Sequence, residues 1–399
     1  MLRWITCALL VSTAGAQDDD ELIGRIRSRM RDNLSRLPDF VCSQTVERSR
    51  RGAPTEPFKP LDTLRLEVAF VGDRELYAWP DSSRFESKEL NELIGSGVIG
   101  TGAFALHARN VFLAARPEFT AAGPAPLDGR PALKFDYLTL PGHGSYRLRV
   151  GRHQASVTFH GAFWVDPGSL DLLRLEVEAD AIPEQLGLAE ARNVMEYARL
   201  RIGDSEFLLP KAAELTMLGT LGEESRNRIT LAACRQYVGE SSLSFEDPDL
   251  KKLETKARPE TGKLPPRRLI ELTLDADIAP ETAAAGDAVR ALVAEPVRDG
   301  TLILIPKGAV AHGRLVRIEK HNQPVDHYIV ALTFHTIEAA DRQIPLSATM
   351  EKAGPAAGLM RQARSLNPTF DKRRLAKMDI LVRETQKGHG VLYWEARRP

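Results

Sequence analysis

The sequence predicts a mainly β protein of the α+β class, with a curved antiparallel sheet covered by a helix and a second, small β-barrel domain. In residues 62–72, DTLRLEVAFVG, bulky apolar residues alternate with polar or small ones, as in a strand with one buried face. Short turns at 166–168 and 203–204 join further alternating runs, which indicates an antiparallel meander. A charged, proline-rich stretch then separates these strands from a second set, so we expect two domains.

The chain begins with the pattern of a secretory signal. Arg3 is followed by an apolar stretch at 4–11 and by the small residues of Ala14-Gly15-Ala16. Because a signal peptidase requires small residues at positions −3 and −1, we expect cleavage between Ala16 and Gln17 and export of the mature chain. The alternative, a membrane anchor, needs about 20 apolar residues. No later segment has that length either, so we expect no transmembrane span in the mature chain.

Two of the three cysteines remain after the signal is removed. Cys7 lies within residues 1–16, which leaves Cys42 and Cys234. An even number of cysteines in an oxidising compartment favours one disulfide, which joins the first and last strands of the first domain. A redox-active pair would need closely spaced cysteines, which the chain lacks, and two free buried thiols are the other alternative.

The predicted boundaries are a signal peptide at 1–16, a first domain at 17–245, a linker at 246–268 and a second domain at 269–399. With 43% hydrophobic and 27% charged residues, the chain can build cores of ordinary size. Its 54 basic and 54 acidic residues give no net charge, which argues against nucleic-acid binding.

A single helix is predicted at the start of the first domain. Leu22, Ile26, Met30 and Leu34 recur every four residues, and Pro38 ends the pattern. The apolar stripe is narrow and has few bulky anchors, so packing on its own domain is favoured over binding to a membrane surface.

One hairpin of the first domain resembles a known family. The stretch GAFWVDPGSLDLLRLEVEAD, residues 161–180, combines an aromatic strand, an Asp-led turn and an alternating strand. Together with the preceding helix and the meander, it resembles the LolA-like lipoprotein-carrier fold, over about residues 20–240. The resemblance implies a half-open barrel whose concave face holds an acyl chain or a protein segment. No position matches a specific lipid-handling motif, so it implies no residue roles.

Three features of the sequence are candidates for catalytic or ligand-binding chemistry. The stretch GSGVIG, with Gly95, Gly97 and Gly100, has the spelling of a dinucleotide fingerprint but follows a helical rather than a strand pattern. It predicts a flexible loop that serves as a flap over the concave face. Ser145 lacks the flanking glycines of a hydrolase elbow. The histidines lack metal-ligand spacing. We therefore expect no enzymatic activity, no cofactor and no bound metal.

The second domain resembles another family. The shared features are Gly286-Asp287 with Val289 and Ala291, LILIPKGA, Gly313-Arg314, ALTFHTIEAADRQIPL, and Gly354 with Gly358. These features are similar to the carboxy-terminal barrel of the TrbI-like family, the outer-membrane core subunit of type IV secretion systems, over about residues 270–360. The resemblance implies a scaffold that assembles through its barrel and has no catalytic residues.

Basic residues mark two candidate docking positions in the second domain. The continuous apolar run 302–305 predicts a strand buried on both faces, followed by a turn at 306–308 between two paired strands. Leu304 is then expected inside, Lys307 exposed at the tip, and Gly308 at the positive φ that many tight turns require. Residues 361–383 are strongly basic and include Lys372, Arg373 and Arg374. This stretch is either a solvated helical face or a docking site for anionic lipid or an acidic partner.

The function expected first is that of an exported, non-enzymatic binding or scaffold protein of the cell envelope. The alternative is a periplasmic carrier of a hydrophobic ligand, a lipid or a lipoprotein acyl chain, in the first domain. The partner is accordingly an envelope protein or a lipid and not a nucleic acid, and the oligomeric state is left open. An open apolar groove between helix and sheet favours the carrier, and a groove filled by the protein's own side chains favours the scaffold.

Overall fold

The structure is a computed structural model. It describes residues 14–72, 74–82, 85, 102–114, 117–139, 146–150, 153–237, 269–276, 278–279, 281–321, 327–340, 342–346, 348–353, 380–382 and 391–396. Strands make up most of it and their pairs are antiparallel, which confirms the mainly β prediction.

Helices contribute little to the described chain. Helix α1 spans Ala14–Ser35, and the one-turn helix α2 spans Leu106–Arg109 and continues as a π-helix at Asn110–Ala114. A 3₁₀ turn lies at Glu184–Leu186. Within the described residues, no helix combines the length and the apolar character needed to cross a membrane. Ala16 and Gln17 both lie in α1, and cleavage between them stays a prediction.

The first sheet contains ten strands. The strands of this half of the chain are β1 (Phe40–Arg51), β2 (Lys59–Val71), β3 (Arg74–Ala78), β4 (Glu118–Pro124), β5 (Leu133–Leu138), β6 (Tyr146–Val150), β7 (His153–Val157), β8 (Phe159–Val165), β9 (Leu172–Ala179), β10 (Leu188–Ile202), β11 (Ser205–Gly219) and β12 (Glu224–Gln236). Their order in the sheet is β3-β2-β1-β12-β11-β10-β9-β8-β5-β4, while β6 and β7 form a separate hairpin. The run from β8 to β12 is the predicted meander.

The core lies on one face of this sheet, which we call the inner face. On β1 it is the face that carries Phe40, Cys42, Gln44, Val46 and Arg48, all of them buried. Directly paired residues of neighbouring strands share a face. One row of such pairs crosses nine strands and is apolar throughout. This apolar row consists of Leu64, Val46, Ile229, Ala213, Met195, Leu175, Phe163, Phe135 and Ala121.

Three separate pieces of chain pack into the same core. Helix α1 contributes Ile26, Met30 and Leu34, the stripe that the sequence pattern predicted to be apolar. The other two pieces are the β6–β7 hairpin and residues 102–114, which we call the cover segment. All three belong to one continuous apolar cluster with the inner face.

The second sheet lies in the latter part of the chain. Its strands, together with a separate hairpin, are β13 (Leu269–Leu274), β14 (Ala288–Val293), β15 (Val297–Asp299), β16 (Leu302–Ile305), β17 (Val310–His321), β18 (His327–Ala339), β19 (Arg342–Pro345), β20 (Ala348–Ala353), β21 (Ile380–Val382) and β22 (Val391–Ala396). The order is β19-β18-β17-β14-β13-β22-β20, with β21 on β18 and with β15–β16 as the separate hairpin. The two end strands are not paired with each other in the described chain, so the predicted closed barrel is not observed.

The turn at 306–308 differs from its prediction in one respect. Strand β16 pairs back onto β15, and β17 pairs with β14 and β18, so the turn does not join two paired strands. For the same reason the run 302–305 is not buried on both faces: Leu302 is 64% exposed and Ile303 is 43% exposed. The predicted positive φ of Gly308, +83°, and the exposure of Lys307 are confirmed. Leu304 is partly buried against the core.

The two sheets contact each other through a short backbone pairing. Strand β3 pairs only with the second half of β2, which leaves the edge of β2 open near residues 63–65. The Arg65 amide donates a hydrogen bond of 2.7 Å to the carbonyl of Ala285, and the Ala285 amide donates one of 2.9 Å to the carbonyl of Thr63. Arg65 also forms an ion pair with Asp287. The predicted linker, 246–268, lies outside the described residues.

Candidate ligand-binding site

A second row of paired residues crosses the inner face beside the apolar row and carries polar groups. This mixed row consists of Asp62, Arg48, Asn227, Leu215, Asn193, Val177, Gly161, Tyr137 and Phe119. At Gly161 an added Cβ would overlap the carbonyl oxygen of Glu176, to which the Tyr137 hydroxyl donates a hydrogen bond of 2.7 Å. The inner face is therefore not uniformly apolar.

One end of the mixed row contacts the second sheet through buried side chains of opposite charge. The Nε atom of Arg48 donates to Asp62 Oδ1 at 2.6 Å, and its Nη2 atom lies 3.8 Å from Glu319 Oε1 on β17. Arg317 Nη2 donates to Glu319 Oε2 at 2.9 Å. Burial raises the pKa of the Asp62 carboxyl, and the hydrogen bond and charge of Arg48 oppose that shift. This cluster has the character of a structural contact between the sheets.

The cover segment presents aromatic and small side chains to the inner face. Phe104, Ala108, Val111 and Phe112 are buried in the core. The rings of Phe112 and Phe163 lie edge to face with centroids 5.2 Å apart. Aromatic pairs in this geometry contribute about 0.5–1.5 kcal/mol beyond their buried area. The segment therefore occupies the space above the apolar row.

Glu75 on β3 holds the beginning of the cover segment. Its Oε2 atom accepts a hydrogen bond of 2.8 Å from the Gly102 amide, and its Oε1 atom accepts bonds of 2.9 Å and 3.3 Å from the Ala105 and Leu106 amides. Ala105 is the N-cap of α2 and Leu106 is its first residue, a position where helices leave their N–H groups unpaired. Burial, and secondarily the charge of Glu75, raises the pKa of Tyr77, whose hydroxyl donates to Glu75 Oε2 at 2.7 Å.

His107 belongs to the cover segment and is buried. Its ring stands edge-on to Tyr146 of β6, with centroids 4.9 Å apart, and its Nε2 atom lies 3.3 Å from Asn193 Nδ2. Burial lowers the pKa of His107 to about 4, so the imidazole is neutral at pH 7. Gly102, with φ +99°, lies directly against this ring.

Two polar atoms of β10 that face the interior have no hydrogen-bond partner within the described structure. They are Asn193 Oδ1 and the Tyr197 hydroxyl, which lie on either side of Met195 along the strand. Burial raises the pKa of Tyr197, so the hydroxyl keeps its proton and can donate. An unpaired buried polar atom costs about 1–3 kcal/mol. A carbonyl or hydroxyl group of a ligand at this place would relieve that cost.

A cleft of about 170 Å³ opens between α1 and the β10–β11 hairpin. We call it the arginine cleft, and its lining consists of Arg29, Asn33, Arg36, Arg199, Glu206, Phe207 and Leu208. Behind it, Asp171 Oδ2 accepts a hydrogen bond of 2.7 Å from Arg199 Nε, and Asp171 Oδ1 accepts one of 3.2 Å from Arg29 Nε. Charged donors are thus concentrated at one rim of the sheet.

The structure places the sequence-predicted site residues as follows. Cys42 on β1 and Cys234 on β12 form the predicted disulfide, between the first and last strands of the first sheet in chain order. Lys307 is exposed and lies 3.3 Å from Glu295 Oε1. The remaining candidates, Gly95, Gly97, Gly100, Lys372, Arg373 and Arg374, lie outside the described residues. Among the described residues no cluster of three or more metal-ligating side chains occurs.

Sequence reasoning did not find Glu75, His107, Asn193, Tyr197 or the arginine cleft. Asn193 and His107 are separated by 86 positions, and Arg29 and Asp171 by 142. No local spacing could have joined them. The one available signal was the apolar alternation of β10, in which a polar Asn193 interrupts the buried face.

Comparison with known proteins gives matches among solved structures. No protein-family model and no curated protein match the chain. The chain is similar to a LolA-superfamily protein from Nitrosomonas europaea, with 10% identity, TM-score 0.29, and 54% of this chain and 94% of that chain covered. It is also similar to an outer membrane lipoprotein-sorting protein domain from Vibrio parahaemolyticus, with 12% identity, TM-score 0.30, and 55% and 93% covered.

A protein of the DUF1329 family from Desulfovibrio piger is also similar, with 13% identity, TM-score 0.32, and 57% of this chain and 97% of that chain covered. None of the three bears on the TrbI-like resemblance of the second domain, which stays a prediction.

Proposed function

We propose that the protein is a carrier that holds a hydrophobic ligand, such as an acyl chain, between the inner face of the first sheet and the pieces that cover it. The observation that carries this proposal is the construction of the cover. Helix α1, the cover segment and the β6–β7 hairpin are separate pieces, and none of them is a strand of the ten-stranded sheet. They can move away without breaking a backbone ladder of that sheet.

The attachments described for the cover segment run through side chains. Glu75 holds its first turn, and Arg109 Nη1 donates a hydrogen bond of 3.3 Å to the carbonyl of Leu34 on α1. The backbone hydrogen bonds described for it are internal, such as that from His107 to Gly102. Its continuation as a π-helix adds a geometry that is frequent at functional sites. Local opening is therefore cheaper here than in the sheet.

An acyl chain on the apolar row would replace the contacts that the cover loses when it opens. Each buried methylene contributes about 0.8 kcal/mol, so about twelve methylenes contribute on the order of 10 kcal/mol before the cost of opening. The unpaired atoms of Asn193 and Tyr197 would meet a polar group of the ligand. The LolA-like sequence resemblance implies the same class of ligand.

The scaffold is the second candidate function, and a specific observation favours it. Phe163 on the inner face is fully buried, and its ring lies 5.1 Å from that of Phe119 and 5.1 Å from that of Phe135. In the state described, the protein's own side chains fill this part of the inner face. The carrier requires the cover to move, and the scaffold does not.

The expected binding is tested by titrating the mature protein with a dansyl-labelled fatty acid. Ala213→Leu adds bulk in the middle of the apolar row, whereas Ala212→Leu adds the same atoms at the next residue on the opposite face. We expect saturable binding that Ala213→Leu weakens by about tenfold or more and Ala212→Leu leaves unchanged. Both variants must keep the wild-type melting curve. No saturable binding to the wild-type protein would favour the scaffold.

Export to the periplasm and the lack of a catalytic activity are part of the same proposal. The signal pattern at 1–16 supports export, and a carrier needs no catalytic residues. Amino-terminal sequencing of the protein from the cell envelope should begin at Gln17. Retention of residues 1–16 would contradict export.

A further inference from the structure

We propose that the arginine cleft binds the anionic headgroup of the carried ligand, so that the ligand is an amphiphile with one phosphate or carboxylate group. This inference rests on the proposed function, because it places the ligand's chain on the inner face. The cleft lies where α1 meets the β10–β11 hairpin, at the rim of the inner face.

The donors of the cleft come from two elements that face each other. Arg29 and Asn33 are spaced by four residues and lie on one face of α1, and Arg36 comes directly after the last residue of that helix, Ser35. Arg199 approaches from β10. Guanidinium groups present several N–H donors in a fixed fork that matches the oxygens of phosphate and carboxylate.

Asp171 holds two of these arginines in place. Its single negative charge does not neutralise both of them. Its carboxylate accepts two hydrogen bonds from Arg199, at 2.7 Å and 2.8 Å, and one from Arg29. One negative charge thus holds two positive charges in place. The hydrogen bond and charge of Asp171 raise the pKa of Arg199, which stays charged at all physiological pH values. Glu206 is the one carboxylate in the lining of the cleft.

Two further groups lack a strong partner of their own. Asn33 Nδ2 is buried and has no hydrogen-bond acceptor in the described chain. Arg36 lies 3.9 Å from Asp32, and both side chains are mostly exposed, so this pair contributes little. The cleft therefore has more hydrogen-bond donors than acceptors. It suits a ligand group that has acceptors only, which is the chemistry of an anion.

The size and floor of the cleft limit what fits. At about 170 Å³ it is smaller than the roughly 300–1,000 Å³ of pockets that hold whole drug-sized ligands. A headgroup fits and a complete lipid does not. Phe207 and Leu208 form the apolar side of the cleft, and Leu208 is also part of the buried core of the inner face. A chain attached to the headgroup would therefore continue toward the apolar row.

The test compares three ligands of equal chain length on the full mature protein. These are a fatty acid, a lysophosphatidic acid and a neutral monoacylglycerol, each used to displace the dansyl probe. Asn33→Asp places a negative charge in the cleft, Arg29→Gln removes a positive one, and Arg31→Gln removes an exposed arginine of α1 that does not line the cleft. The first two ligands distinguish a carboxylate from a phosphate headgroup.

We expect at least one anionic ligand to bind about tenfold more tightly than the neutral one. Asn33→Asp and Arg29→Gln should each remove most of this preference and leave the affinity for the neutral ligand unchanged. Arg31→Gln should change neither. Equal affinity for charged and neutral ligands, or a preference that survives both cleft variants, would overturn the inference.

A second measurement separates this inference from the proposed function. Inorganic phosphate is titrated while the Asn33 side-chain amide is followed by NMR. A saturable shift that Arg29→Gln removes supports the anion site even if no acyl ligand binds, in which case only the carrier function fails. If acyl ligands bind without regard to charge and phosphate causes no shift, the carrier stands and the anion site fails.

Discussion

His107 makes the stability of the first sheet depend on pH. Its pKa is lowered from 6.5 to about 4 by burial, so below pH 6.5 the unfolded chain binds a proton that the folded chain does not. The part of the stability that is linked to His107 is therefore fully present above about pH 6.5 and is lost as the pH falls toward 4. We expect this one group to lower the free energy of unfolding by about 2 kcal/mol between pH 7.5 and 5. Urea unfolding at the two pH values measures it.

The control for this prediction is His107→Gln, which cannot titrate. The variant should be less stable at pH 7.5, because it loses the ring contact with Tyr146. Its loss of stability between pH 7.5 and 5 should be about 2 kcal/mol smaller than that of the wild-type protein. An equal pH dependence in the two proteins would show that His107 is not the group responsible.

Single residues could be predicted from the sequence where the neighbouring residues determine the geometry, or where only one partner of the required type is available. The disulfide followed from the two cysteines that remain if the chain is exported as predicted, and the positive φ of Gly308 followed from its place in a tight turn. Asn193 and Tyr197 could not be predicted as site residues. Their significance depends on lacking a partner in three dimensions, which is not a property of the neighbouring sequence.

The cover segment is the element whose motion the carrier function requires, and Glu75 is one of the residues that hold it in place. Glu75→Gln keeps the size of the side chain but removes its charge, and it leaves one acceptor oxygen for three amides. Hydrogen bonds to a charged group contribute about 1.5–3 kcal/mol. We expect the amides of Ala105 and Leu106 to exchange with solvent deuterium at least about tenfold faster in this variant.

Amides in the middle of β10 and β11 report whether that effect is local. Their exchange should be unchanged, because these strands are held by their own ladders. Glu118→Gln on the edge strand β4 is the matched control and should alter neither set. Faster exchange throughout the sheet would mean that Glu75 stabilises the whole domain and is not a specific restraint on the cover segment.

Among the elements, hydrophobic periodicity predicted the strands that have one buried face. It did not predict the surroundings of β16 or the structure of the cover segment. β2 alternates in burial from Leu64 to Val68 and was predicted. β9 was also predicted, although Glu176 is buried together with Leu175 and Val177. β16 was assigned two buried faces because a continuous apolar run looks the same in a buried strand and in an exposed hairpin. The cover segment was not predicted, since its alanines and phenylalanines carry no alternation and its shape depends on contacts with Glu75 and the sheet.

The contact between the two sheets depends on a glycine. Gly286 has φ +111°, and an added Cβ would overlap the carbonyl oxygen of Arg65 on β2. Gly286→Ala should therefore separate the backbone pairing at Ala285 and weaken the contact between the sheets. We expect a larger radius of gyration by small-angle X-ray scattering and faster proteolysis between the two halves of the chain.

The matched control is Gly300→Ala, which also substitutes a glycine of positive φ in the second half of the chain but meets no atom within 4 Å. It should cost some stability and leave the scattering curve unchanged. Arg65→Gln, which removes the ion pair with Asp287, should give an intermediate effect. An unchanged scattering curve for Gly286→Ala would show that this pairing does not hold the sheets together.

For the whole molecule, the sequence predicted two successive sets of antiparallel strands but not how they meet. A proline-rich linker suggested independent halves. The contact arises instead from the open edge of β2 and from buried charges on β1, β2 and β17. Buried Arg48 and Glu319 are exceptions to the usual exposure of charged residues, and only the folded pairing accounts for them.

The central claim, that an acyl chain lies on the inner face, is tested most directly by photolabelling. The mature protein is irradiated with a fatty acid that carries a diazirine in the middle of its chain, and the labelled peptides are mapped by mass spectrometry. The account predicts adducts on residues of the apolar row such as Val46 and Met195, suppressed by excess unlabelled fatty acid and by Ala213→Leu. Adducts confined to exposed apolar residues such as Leu221 and Leu302, or none that an excess of fatty acid suppresses, would contradict it.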